Sequence, residues 1–545
     1  MATPDRKLNL EVLLRDVGEF GSFQKRVCYM LCALISLSGA MNFSFTFTSA
    51  IPPFRCLVPD CDSQNPTFHD ASVEGFDQFA YPKDDHACHV YKNNSNTCDA
   101  HAFHSKEILN CTRWIYDYST YGNNFISEFN LVCSQETRGP LLFSSFFAGQ
   151  MLGVLPIGAF ADLFGRKIVF LVSSLSLAMI GSAQALFTYD YRSLLIFSFL
   201  SGIFQSGFFQ LGYILSIEIV GKSKRLFCGS AIQICFVIGE LYLSLAAWYF
   251  RDWRKVLLSY SIPCFFSIFY IKLIPESPRW LLTKGKTVEL EELALKIAMS
   301  NQSPTPNMEN YYYEQVLSST DPPEGLLQFL GSKKLLLRMT ILSLGWFVVG
   351  MGYYGISLHA SSLAGSIYLN FFLLSLVEFP GYGLSFLSMK LNGRRNTMVG
   401  SLIIAGLSII ISNLQNIPWI TTLLYLLAKM SITCAFATIY LYTSELLPTA
   451  LRTGGVSTTS FIGKIGALIS PYISLLSFIL GSKTIMIVFG ISPLLCGLLF
   501  LCLPETLGKG LPNNIQEAER IGSLEYIDNS ISNLSEAEPL IQESS

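Results

Sequence analysis

Gly158-Ala159-Phe160-Ala161-Asp162-Leu163-Phe164-Gly165-Arg166-Lys167 lies between two apolar runs, 141–160 and 168–187. Each run is long enough to cross a bilayer, which takes about 20 apolar residues at a rise of about 1.5 Å each. Two glycines, an acid and two adjacent bases are therefore confined to a turn with no room for a domain. The glycines permit close helix approach and unusual backbone angles, and the bases suit a cytoplasmic membrane face and the ends of helices. Taken alone, such a turn is a topology anchor. A degenerate copy, Asn392-Gly393-Arg394-Arg395, appears far downstream.

Twelve apolar segments are predicted. Six lie in the first half (27–51, 141–160, 168–187, 194–220, 226–250 and 256–274) and six in the second (339–359, 367–389, 398–412, 420–442, 456–480 and 485–503). The organisation expected is an N-terminal segment 1–26, a first bundle 27–274 carrying an inserted loop 52–138, and a polar connector 275–338. A second bundle, 339–503, and an acidic, Ser- and Asn-rich disordered tail, 504–545, complete it. Charged residues are 14% of the chain and the mean hydropathy is +0.42. Soluble domains carry about 25% charged residues, so the composition is that of an all-α polytopic membrane protein. A net charge of −2 gives no sign of a nucleic-acid partner.

Bases set the topology. Arg166 and Lys167, then Lys222, Lys224 and Arg225, then Lys390, Arg394 and Arg395, then Arg452 fall in alternate loops. By the positive-inside rule these loops and both termini are cytoplasmic. Arg251, Arg254 and Lys255 are exceptions on the opposite side. The inserted loop holds Cys56, Cys61, Cys88, Cys98, Cys111 and Cys133, which reads as a disulfide framework in an oxidising exterior, with fifteen possible pairings. It also carries glycosylation sequons at Asn93 and Asn110. His86, His89, His101 and His104 beside Cys88 and Cys98 have zinc-like spacing, but disulfides explain the cysteines better outside a cell.

The repeat reaches beyond one turn. Gly165-Arg166 recurs as Gly393-Arg394, an offset of 393 − 165 = 228. Glu218, seven residues before Arg225, recurs as Glu445 before Arg452, with 445 − 218 = 227. Pro275-Glu276-Ser277 recurs as Pro504-Glu505-Thr506, with 504 − 275 = 229. Two six-span halves with the same charged fixtures are the sequence mark of a transporter whose bundles rock about a central site. Asp162, Gly165, Arg166, Lys167, Glu218, Arg225, Arg394, Arg395, Glu445 and Arg452 are accordingly expected to gate, through ion pairs that hold the bundles together in one state and break in the other.

Gly158-x3-Asp162-x2-Gly165-Arg166-Lys167 resembles the loop signature of the major facilitator superfamily. Val17–Gly21, the cysteine loop, Glu128-Phe129-Asn130-Leu131-Val132-Cys133, Pro275–Trp280 and Tyr442–Arg452 are similar to the organic cation, anion and carnitine transporters within it. Tyr353-Tyr354-Gly355 and Val377–Tyr382 look closest to cation and carnitine members. The resemblance runs from about residue 10 to residue 512. It implies secondary transport of small charged organic molecules across the plasma membrane, with no cofactor; an organic-anion carrier or a transport-inactive sensor of the same fold are the alternatives.

Ionisable residues inside spans cost about 2.5–3.5 kcal/mol on insertion scales, so each needs a reason. Glu378 matches a glutamate of cation-carrying relatives; it attracts an organic cation or pairs with a lysine. Lys464 stands where cation-selective relatives have aspartate and anion- or carnitine-handling relatives have arginine. It holds a substrate carboxylate as a point charge or pairs with Glu378. Lys429 lines the cavity or forms a structural pair, and Glu240 partners a lysine or is protonated in an apolar setting. Trp346, Tyr353 and Tyr354 are aromatic candidates for an ammonium group, each such face contributing about 0.5–2 kcal/mol.

Gly350-Met351-Gly352-Tyr353-Tyr354-Gly355 fits a dinucleotide fingerprint but has no strand before it. No phosphate-binding lysine–serine loop accompanies the spans, so ATP-driven pumping has no support. Glu536 with Leu540 and Ile541 is similar to an acidic dileucine motif for a sorting adaptor, with endosomal or lysosomal residence as the alternative location. A homo-oligomer is compatible with this pattern.

Overall fold

The computed structural model describes residues 6–58, 61–62, 66–68, 77–82, 87–94, 97–314, 331–448, 451–509, 512 and 515–521. His86 and the dileucine residues Glu536, Leu540 and Ile541 lie outside them. Among the described residues twelve long helical segments overlap the predicted spans, and ten of them, or eleven with the bent α2, are long and apolar enough to cross a membrane. In the first half they are α1 (Ser22–Phe43, continued by Phe45–Thr48), α2 (Arg138–Phe164), α3 (Arg166–Phe187), α4 (Tyr191–Glu218), α5 (Arg225–Phe250) and α6 (Trp253–Cys264, running on to Leu273). In the second they are α7 (Lys333–Leu358), α8 (Ile367–Leu376 with Glu378–Leu391), α9 (Arg394–Leu414), α10 (Pro418–Leu446), α11 (Arg452–Leu480) and α12 (Ser482–Phe500).

Proline interrupts two of the spans. A proline lacks the N–H that would bond the carbonyl four residues earlier. Pro156 marks a 41° bend in α2. Pro380 removes the partner of the Leu376 carbonyl, and α8 breaks there, so that Glu378 opens the second half-helix. An acid at a helix N-terminus is favoured by the helix dipole.

The turn that opened the sequence is built twice. Gly165 (φ +109°) and Gly393 (φ +88°) both adopt the left-handed half of backbone space. A Cβ on either would lie 2.3 Å from the carboxyl group of Glu276 or Glu505, respectively. That carboxylate caps the next helix: Glu276 accepts from the Lys167 amide at 3.1 Å, and Glu505 from the amides of Arg394 and Arg395 at 2.7 and 3.1 Å. Four orphan N–H groups begin any helix, and an anion there is stabilising.

The inserted loop folds around three disulfides, Cys56–Cys111, Cys61–Cys98 and Cys88–Cys133. They staple two antiparallel ribbons, Phe54–Cys56 with Trp114–Tyr116 and His89–Asn93 with Phe103–Asn110. A buried Arg55–Asp62 pair at 2.8 Å and the Tyr81 hydroxyl on the Cys56 carbonyl complete a small core. Cys88 and Cys98 are thus used in covalent bonds. Asn110 is exposed and Asn93 is half-buried.

Two of the basic exceptions on this face, Arg251 and Arg254, have local partners. Arg254 donates to Glu128 and to the carbonyls of Ala185 (2.7 Å) and Thr188 (3.0 Å), and Arg251 donates to the Ser119 carbonyl. Burial opposes ionisation of Glu128, but bonds from Trp253, Asn123 and Arg254 hold its carboxyl below the ordinary range.

On the opposite face, the described part of the connector is folded. Helices Pro278–Thr283 and Thr287–Asn301 pack with the N-terminal helix Leu10–Asp16 through Leu13, Leu14, Trp280, Leu290 and Ile297. Glu11 accepts from Arg225 at 2.7 Å and Arg279 at 2.5 Å, tying this layer to α5. The tail expected to be disordered from residue 504 is corrected in part. A helix, Ile515–Arg520, buries Ala518 against Leu335 and Leu447, and Arg338 donates to the carbonyls of Ala518 and Ile521. Apolar positions 515, 518 and 521 fall on one face at helical spacing, a pattern too short to stand out in a polar tail.

Candidate functional site

At mid-span, three ionisable side chains from three helices meet with no exposure to solvent: Glu240 of α5, Glu378 of α8 and Lys429 of α10. Lys429 Nζ lies 2.8 Å from Glu378 Oε1, donates to Ser357 Oγ at 2.8 Å, and sits 3.5 Å from the Tyr353 ring centroid. The Phe43 ring of α1 is 5.3 Å away. Tyr353 Oη lies 2.7 Å from Glu378 Oε2 and 3.1 Å from Glu240 Oε1, and Ser375 donates to Glu240 Oε2 at 2.9 Å. A buried charge needs a counter-charge and hydrogen bonds, and Glu378 has both.

The acid–lysine pair expected within one bundle is therefore Glu378 with Lys429, and Lys464 is not its partner. The protein's own ammonium occupies the niche of carboxylate and tyrosine face that the residue types had suggested for a substrate. Glu240 belongs to the first bundle and reaches across to the second, where it meets Tyr353 and Ser375. Lys429 pairs with its neighbour and not with Glu240.

Lys464, on α11, is only partly buried and reaches the Gln150 amide oxygen of α2 at 3.4 Å. Gln150 in turn donates to Asn42 of α1 at 2.8 Å. Asn42 precedes Phe43, so this basic station adjoins the acidic one through α1. Tyr354 lies between them, with its ring 5.2 Å from Phe43 and 4.7 Å from Phe147 of α2. Trp346 is buried; its Nε1 donates to Thr443 at 3.1 Å and its ring props Tyr440 at 4.4 Å. It supports the wall of the site. Phe43, Gln150 and Asn42 were not anticipated: a phenylalanine and two amides in apolar runs carry no sequence signal of their own.

Bonds between the bundles include Ser144 Oγ to the Leu468 carbonyl (2.8 Å), Ser244 Oγ to the Tyr368 carbonyl (2.7 Å) and Tyr368 Oη to the Thr120 carbonyl (3.0 Å). Phe47 stacks on Tyr368 at 5.5 Å. These contacts, with the Glu240 cluster, lie at mid-span or nearer the cysteine-loop face.

The charged fixtures at the other face form a duplicated constellation. Arg166 meets Glu218 at 3.0 Å and Arg394 meets Glu445 at 3.1 Å. Ser277 donates to Glu218 and Thr506 to Glu445. Asp162 is mostly exposed and 3.5 Å from Arg166. The ion pairs expected to tie the bundles together thus lie inside each bundle in this conformation. The arginines seven residues on have other contacts: Arg225 bonds Glu11, and Arg452 approaches the Leu447 carbonyl at 3.5 Å. The arginine that answers each glutamate comes from the glycine turn, distant in sequence, so helix spacing alone could not reveal the pairing.

Two six-helix halves, duplicated turns and an ionisable cluster at the seam between them define a membrane transporter of the two-bundle class. The sequence profile of the Major Facilitator Superfamily matches residues 127–471. The chain is 31% identical over 531 residues to the organic cation transporter protein of Drosophila melanogaster, covering 94% of each chain. It is 30% identical over 549 residues to the Homo sapiens organic cation/carnitine transporter 2, covering 94% of each, and 30% identical to Mus musculus solute carrier family 22 member 3, covering 94% and 95%. The fold is similar to that of the Escherichia coli xylose transporter XylE in a partially occluded inward-open form, with a TM-score of 0.58 at 15% identity over 90% of this chain and 100% of that one. The protein belongs to the solute carrier 22 family of the major facilitator superfamily, and is a multi-pass membrane transporter and not an enzyme.

Proposed function

We propose that this protein carries small organic cations or carnitine-like zwitterions across the plasma membrane by alternating access, with both termini in the cytoplasm. The observation that carries the reading is the pairing of two stations along one seam: an acidic cluster at Glu240 and Glu378, and the partly open Lys464 facing the Gln150 amide oxygen. An ammonium group is drawn to the acidic station and the Tyr354 face. A carboxylate is drawn to Lys464, whose ammonium is a point charge with donors to spare. The curated relatives named for organic cations and for carnitine support the same substrate class.

The gating reading follows from the same frame. Contacts across the seam are concentrated towards the cysteine loop, and each Arg–Glu pair is satisfied within its bundle, so this conformation is taken as open towards the cytoplasm. In the outward-open state Arg166 and Arg394 exchange part of these bonds for contacts across the seam. Lys167, Arg225, Arg395 and Arg452 border the same face and support the turns.

Uptake of labelled tetraethylammonium, carnitine and benzoate into expressing cells, compared with surface binding, tests the proposal. Accumulation of the cation or the zwitterion above untransfected cells is expected. Uptake of benzoate alone would establish an anion carrier, and binding without accumulation would establish a sensor.

A further inference from the structure

The mid-span cluster contains two carboxylates and one lysine, all fully buried. With both acids ionised the cluster carries an uncompensated negative charge in a dry interior, the arrangement that burial penalises most. Hydrogen-bond counting points to the missing particle. Tyr353 has a single O–H proton, yet its oxygen lies within bonding distance of oxygens on both acids, at 2.7 and 3.1 Å. Two such contacts to carboxylate oxygens need two protons. A proton on Glu240 Oε1 completes the chain: Glu240 donates to Tyr353, Tyr353 donates to Glu378, and Glu378 remains the anion that pairs with Lys429. Ser375 continues to donate to Glu240 Oε2. The cluster is then neutral and every short contact has a donor.

The position of this proton matters more than its presence. Glu240 belongs to α5 in the first bundle, whereas Tyr353, Ser375, Glu378 and Lys429 belong to the second. Any rocking of the bundles separates the Glu240 carboxyl from its partners. Among the described residues, Tyr354 on α7 and Tyr382 on α8 are further titratable groups facing Glu240 and Glu378. From α1 the facing group is the uncharged Phe43. Lys464 on α11 is engaged with Gln150.

We propose that Glu240 carries one exchangeable proton, held against Tyr353 and Glu378 across the seam, and that the transporter moves this proton in exchange for the ammonium group of its substrate. This rests on the transport reading above. The step is a proton transfer with no redox component. Glu240–COOH ionises to the carboxylate, its proton leaves to the aqueous side to which the seam is open, and the substrate ammonium replaces the lost positive charge. Reprotonation of Glu240 from the opposite side releases the ammonium. One proton moves per substrate.

The test uses the full-length protein in liposomes with a trapped pH-sensitive dye, and labelled tetraethylammonium and carnitine as probes. An acid interior is expected to raise accumulation of the transported probe at least five-fold over equal pH, with internal alkalinisation in step and both lost on adding a protonophore. Glu240→Gln is expected to abolish the gradient stimulation and the alkalinisation while probe-for-probe exchange persists, which also shows that the variant is folded. Glu240→Asp is expected to retain gradient stimulation. Uptake by the wild type with no internal pH change, or driven only by sodium, would overturn the exchange while leaving the transport reading intact. Absence of uptake of both probes would remove the transport reading and the exchange with it.

Discussion

Lys429→Met offers a direct measure of the buried cluster. Lysine and methionine share an unbranched apolar stem, so the substitution removes the ammonium with little change in packing. The ammonium's interactions are lost: the ion pair with Glu378 at 2.8 Å, the bonds to Ser357 Oγ at 2.8 Å and the Tyr353 carbonyl at 3.3 Å, and the contacts with the Tyr353 and Phe43 rings at 3.5 and 5.3 Å. Both partners of the ion pair are inaccessible to water, so Glu378 is left as an unpaired buried acid, a cost of about 3–5 kcal/mol. The double variant Lys429→Met, Glu378→Gln removes the stranded charge. A buried pair replaced as a unit is close to neutral, so about 2–4 kcal/mol of the loss should return. A kilocalorie shifts the midpoint of a 150–250-residue domain by about 2–4 °C and a larger protein by less. Melting of the detergent-purified protein should therefore place the single variant several degrees below the wild type and the double variant between them. A double variant as unstable as the single, or a single variant indistinguishable from wild type, would refute the assignment of Lys429 as the counter-ion of Glu378.

Gly393→Ala should lower the melting midpoint, at a cost above the ~1 kcal/mol of left-handed backbone alone, because the added methyl meets Glu505 at 2.3 Å; Gly165→Ala should behave alike against Glu276. Asp162→Asn should barely move the melting midpoint, since this acid is 74% exposed and such pairs contribute ~1 kcal/mol or less, and any loss should appear in turnover. Glu11 is held below its ordinary value of 4.5 by the bond and charge of Arg225 and by Arg279, against the opposing effect of burial. Its contribution is therefore complete above pH 4.5 and lost as the pH falls through the lower folded value, so proteolysis within residues 10–16 should accelerate only in that acidic range, and Arg279→Ala should move the onset to higher pH.

Much of the architecture is legible in the chain because apolar runs of span length and a repeat near 228 residues are long-range signals that no single contact can blur. The turn glycines were legible for the same reason, and the structure supplies their cause in the capping acids Glu276 and Glu505. The partners of the charged residues were not legible. Arg166 and Glu218, or Glu378 and Lys429, are separated by about 50 residues and brought together by helix packing, whereas the visible spacing Glu218 to Arg225 marks the repeat and not a contact. Glu240 was recognisable as an isolated acid, but its meeting with Tyr353 depends on how the two bundles close, which no local pattern encodes. The Ile515–Arg520 helix was hidden by a polar tail in which three apolar positions suffice for docking.

The central claim is that the seam reads both ends of a small charged molecule, with Lys464 assigned to the carboxylate. It is tested most directly by the ratio of carnitine to tetraethylammonium uptake in Lys464→Asp relative to wild type, with Lys464→Arg as the charge-preserving control. The account predicts that aspartate lowers this ratio by at least ten-fold, by loss of the zwitterion and retention or gain of the monocation, while arginine leaves it within about two-fold; one unpaired charge contact of ~1.4 kcal/mol corresponds to ten-fold. An unchanged ratio in Lys464→Asp, with both uptakes retained, would contradict it.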